Sequence, residues 1–74
     1  MIIHLRNHPV DITITPNQVT GVKNARAVSC QRMSPNTVED TICYVLIALF
    51  GFRALNLRER REVRLQLQKF RVIQ

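Results

Sequence analysis

The sequence predicts an α+β fold: an N-terminal β-hairpin, with residues 27–33 offering a third strand, then a C-terminal two-helix hairpin. Three observations predict it. Apolar and polar side chains alternate through the first fifteen residues, the period of a half-buried strand. The one long apolar run, Ile42 to Phe50, follows a cap-like segment. A second cap-like segment, Asn56-Leu57-Arg58-Glu59, opens a stretch where apolar residues recur at helical spacing among arginines.

In the first run Ile3 and Leu5 share one side, and Ile2, His4 and Arg6 the other. Asn7-His8-Pro9 interrupts the alternation with turn chemistry. Val10, Ile12 and Ile14 then alternate with Asp11, Thr13 and Thr15. The strands are rich in β-branched residues, as a half-buried sheet prefers. A two-stranded hairpin is not stable alone and must lie on an apolar partner. Residues 16–26 are ambiguous. Thr15 can cap a helical turn with Pro16 first and Gln18 closing the box, and Gly21 and Asn24 keep any such turn short. Ala27 to Met33 reads as a strand, with Val28 and Cys30 on one face and Ser29 and Gln31 on the other.

Ser34-Pro35-Asn36 is a break. Asn36 fits an N-cap with Glu39 at the third helical position, and Glu39 and Asp40 favour the positive end of a helix dipole. The helix is expected from Thr37 to Phe50, ended by Gly51. Val38, Ile42, Val45 and Leu49 form an apolar stripe, which Cys43, Leu46, Ile47 and Phe50 extend around most of the circumference. A helix apolar on most sides is expected to be buried on most sides. One hairpin cannot cover it, so a second helix and a second copy of the chain are expected to. A second helix is expected from Leu57 to Phe70. Its Val63, Leu67 and Phe70 form a thin apolar edge and join Val38, Ile42, Val45, Leu46, Leu49 and Phe50 as core or dimer seam.

The 74 residues make a single small domain (1–74), β-rich over 1–33 and a helical hairpin over 34–74. A chain this short buries only about 60% of its unfolded surface, so pairing into a homodimer is the expected reinforcement. Two cysteines are too few for a disulfide scaffold. Met1 to Arg6 lacks the basic start and apolar stretch of a secretion signal. A cytoplasmic setting is expected. No membrane span is expected either, because Ile42–Phe50 falls far short of the roughly 20 residues that cross a bilayer.

Net charge is +6, and it is uneven. Residues 53–74 hold seven cations against Glu59 and Glu62. Most are arginine, whose planar fork of donors suits phosphate or carboxylate oxygens. The leading expectation is a non-enzymatic regulatory protein that binds DNA through Arg53, Arg58, Arg60, Arg61, Arg64, Lys69 and Arg71. Its size suits a phage or mobile-element regulator. The alternative is an inhibitor or adaptor that docks the same basic helix on an acidic protein. If the second helix enters a major groove, Arg58, Arg61 and Arg64 face the bases. No Gly-rich phosphate loop, no paired carboxylates in an apolar cleft and no nucleophile with a base are found, so no catalytic residue is expected. His4, His8, Cys30 and Cys43 match no zinc spacing, and neither metal nor cofactor is expected.

Overall fold

The computed structural model describes residues 1–72. Four strands, β1 (Ile2–Leu5), β2 (His8–Ile14), β3 (Gln18–Lys23) and β4 (Arg26–Gln31), precede α1 (Val38–Phe50) and α2 (Leu57–Lys69). The strands form one antiparallel meander in the order β1-β2-β3-β4.

The first turn falls one residue earlier than the sequence suggests. Arg6 and Asn7 both take positive φ, 50° and 64°, and link Leu5 directly to His8. Two left-handed residues in a row match the twist of the flanking strands, which outweighs the turn character of Pro9. Pro9 lies inside β2, opposite His4. That pair exchanges no hydrogen bonds, and β3 ends before reaching Pro9, so no donor is missed.

Residues 18–23 are a strand, not a helical turn. The Thr15 hydroxyl accepts from the N–H groups of Asn17 (3.3 Å) and Gln18 (3.0 Å). The Thr15 N–H donates to Gln18 O at 2.9 Å. Thr15 thus closes a tight reversal where it was read as a helix cap. The sheet therefore has four strands, where a hairpin and one further strand were expected.

Both helices cover one face of the sheet: α1 packs on β3 and β4, and α2 on β1. Ile3, Leu5, Val10, Ile12 and Val19 rise from the sheet to meet Ile42, Val45, Leu46, Leu49, Val63 and Leu67 in one buried core. The α1 cap is Thr37, one residue past Asn36, with Asp40 as its capping-box partner. Gly51 ends α1 at φ 71°. Val38 and Phe50 pack on the margin of the core. Phe70 caps the C-terminus of α2 and is 47% exposed, so it lies outside the core where the sequence put it. The helix α1 is not covered all round: Tyr44 is 51% exposed and Ala48 is exposed. Among the described residues no helix is long and apolar enough to cross a membrane.

Candidate nucleic-acid interface

The basic helix is anchored at its start by Glu59, which is buried. Asn56 Oδ1 accepts from the Glu59 N–H at 2.8 Å, and Glu59 Oε1 accepts from the Asn56 N–H at 3.2 Å. This is the capping box the sequence predicts at these residues. Glu59 Oε2 also accepts from Arg6 Nε at 2.6 Å. The Arg6 guanidinium lies 4.0 Å over the Phe52 ring, Phe52 stacks on Phe50 at 5.2 Å, and Lys23 Nζ lies 4.9 Å from the centre of Phe50. A cation, two rings and a second cation thus pin the loop between the helices to the ends of β1 and β3.

A second clamp joins the helices. Arg64 makes two bonds to Glu39, Nε to Oε1 at 2.7 Å and Nη2 to Oε2 at 3.1 Å. Arg60 Nη2 reaches Glu39 Oε2 at 3.2 Å and Asp40 Oδ1 at 2.8 Å. Hydrogen bonding from Arg64 holds the Glu39 carboxyl below its ordinary range against the opposing effect of burial. The Thr37 backbone N–H, then Arg60, lowers Asp40. Arg6, then the Asn56 N–H, lowers Glu59. The same bonds raise both Arg60 and Arg64.

The seven basic residues marked by the sequence therefore divide. Arg60 and Arg64 are turned toward α1 and engaged there. Arg58, Arg61 and Lys69 are exposed on the side of α2 away from the core. They share it with Leu57 (88% exposed), Leu65 (55% exposed) and Gln68. Arg53 is exposed in the loop, and Arg71 is exposed just past the helix at φ 60°. None of these five has an ion-pair partner among the described residues. Sequence reasoning gave Glu39 and Asp40 only roles within the first turn of their own helix, Glu39 at the third position after the cap and both at the helix dipole. The signal for more was present: two carboxylates in the first turn of one helix, and two arginines four apart on the next. Arg6 had no such signal, because its partner lies 53 residues away.

Comparison with protein-family models, with curated proteins and with solved structures found no match. What the surface offers chemically is then a matter of its donors. The outward side of α2 presents guanidinium and ammonium groups for phosphate or carboxylate oxygens. The Cys43 thiol is buried, and burial pushes its pKa up, which makes it a weak nucleophile. No group of three or more His, Cys, Asp or Glu is gathered for a metal among the described residues.

Proposed function

We propose that the chain is a small, basic, homodimeric regulatory protein that binds DNA through the outward side of α2, without catalysis. The observation that carries this is the division of the cations on that helix. Glu39 and Asp40 engage Arg60 and Arg64, whereas among the described residues no carboxylate pairs with Arg58, Arg61 or Lys69. Unpaired cations on one face release counterions when they meet a phosphate backbone, which gives affinity that falls with salt. Arg53 and Arg71 extend the same charge beyond the two ends of the helix.

The test is duplex DNA binding by fluorescence anisotropy between about 50 and 200 mM salt. Each phosphate contact contributes about −0.9 to the slope of log K against log salt. Arg58→Ala with Arg61→Ala is expected to flatten that slope by about 2 and to leave the melting temperature unchanged. Absence of binding at low salt, or an unaltered slope in the double variant, overturns the proposal. One observation favours the second reading, an acidic protein partner. Leu57 and Leu65 lie exposed between the free cations, and a desolvated protein interface uses apolar anchors that a phosphate backbone does not. Leu57→Ala with Leu65→Ala should weaken such a complex and spare DNA affinity.

A further inference from the structure

The two edges of the sheet are finished differently. At β1, Ile12 N–H donates to Met1 O at 2.7 Å, so Met1–Ile12, Ile3–Val10 and Leu5–His8 exchange bonds with β2. Ile2 and His4 then point their N–H and C=O groups outward. Those of Ile2 meet no partner among the described residues, but both of His4, nearer the middle of the edge, are taken. His4 N–H donates to Gln66 Oε1 at 2.7 Å, and Gln66 Nε2 donates to His4 O at 2.8 Å. The side-chain amide of α2 stands in for the peptide of a neighbouring strand.

At β4 nothing among the described residues does this. Arg32 N–H donates to Asn17 O, and the pairs alternate from there. Cys30, Val28 and Arg26 exchange bonds with β3, while Ala27, Ser29 and Gln31 direct theirs away from the sheet. No other backbone group among the described residues bonds to these three; Gln31 O receives only a 3.7 Å contact from the Cys30 thiol. Natural edges are blunted by proline, a bulge or an inward charge. Between Arg26 and Arg32 this strand has none. Val28 and Cys30, on its helix-facing side, remain half-buried.

We infer that β4 is the surface through which two copies of the chain pair, edge to edge and antiparallel, centred on Val28, so that two sheets join as one of eight strands. This deepens the homodimer proposed above and is independent of DNA binding. Charge selects the register. Centring on Ser29 sets Arg26 directly opposite Arg32 of the other copy, and like charges so placed destabilise. Centring on Cys30 leaves only residues 29–31 paired within the strands. Centring on Val28 pairs Ala27 with Ser29 in both directions, sets Arg26 opposite Cys30, and buries the two Val28 side chains against each other. A second copy suits this edge because, apart from Arg26 and Arg32 at the two ends of the strand, the repelling charge is elsewhere. Arg58, Arg61 and Lys69 ride on α2, over the opposite edge of the sheet. The helix layer also permits it. Glu39 marks the flank of α1 that faces α2, and Ala48, nine residues on, is half a turn around, toward β4. A small exposed residue there lets a second α1 approach.

Light scattering of the full chain should give twice the 8.6 kDa monomer mass. Ala27→Pro should return it to 8.6 kDa with an unchanged circular dichroism spectrum, because the lost N–H points away from β3. In a Cys30→Ser background, Val28→Cys should form a disulfide-linked dimer on mild oxidation. A non-hydrogen-bonded antiparallel pair has Cα atoms about 4.5 Å apart, within the span of a disulfide. A monomeric wild type overturns both this inference and the homodimer. A dimer that survives Ala27→Pro and does not cross-link at residue 28 overturns the β4 interface and leaves the homodimer standing on another surface.

Discussion

Gly21 is the residue at which the two layers come closest. A Cβ placed there would fall 2.5 Å from Val45 Cγ1 and 2.9 Å from Leu49 Cδ1, both in the middle of α1. Neither can withdraw freely, since both lie in the packed core. Gly21→Ala should therefore cost about 1–3 kcal/mol, the range for overpacking a full core. Urea unfolding monitored by circular dichroism reads it, and an unchanged midpoint would show that α1 can shift away. The sequence made Gly21 visible for another reason, as a residue that shortens helices. Its use is to let a strand backbone pass under a helix, a demand set by Val45 and Leu49, which lie 24 and 28 positions away. Arg60 and Arg64 teach the same point. Their charge is legible in the sequence, whereas their direction depends on where α1 puts Glu39.

At the scale of elements, α1 and α2 were the most legible parts. Each has a cap, an acidic first turn and apolar residues at helical spacing, and each was placed to within one residue. β1 and β2 were legible through alternation alone. β3 was not, because its helix-facing residues are Val19, Gly21 and Lys23, too little apolar alternation to register, and Pro16 and Asn17 ahead of it invite a helical start. The link between the helices makes a further prediction. Glu39, Asp40 and Glu59 are held below their ordinary values of 4.5, 3.8 and 4.5 by their arginine and backbone donors. A carboxyl lowered in the folded state contributes stability that is fully present above its ordinary value and is lost as pH falls through the lowered one. Thermal stability should thus hold from neutral pH to about 4.5 and fall below it. Glu39→Gln should cost about 1 kcal/mol at neutral pH, since both arginines stay partly solvated, and should make the acid limb shallower. An equally steep limb in that variant would place the acid sensitivity elsewhere.

For the whole molecule, the helices and the sheet give different surfaces different work. Cations with no ion-pair partner among the described residues crowd the α2 side, and the open strand lies at the other edge. Joined through β4, two copies would set their β1 strands seven spacings apart, about 34 Å before twist. One turn of duplex DNA has nearly that length, so the two α2 faces would meet the same side of a helix. The amide of Gln66 then acquires a meaning beyond its two hydrogen bonds: it is a terminator. A chain with one open edge stops growing at two copies. A chain with two unlike open edges has no reason to stop, because head-to-tail addition always leaves another end exposed. Gln66→Ala should expose β1 at His4 and turn a closed pair into an open-ended series, visible as scattered mass that climbs with concentration and as thioflavin fluorescence. Constant mass in that variant would mean that β1 has a second guard. A single side chain on the basic helix would then set how many copies assemble.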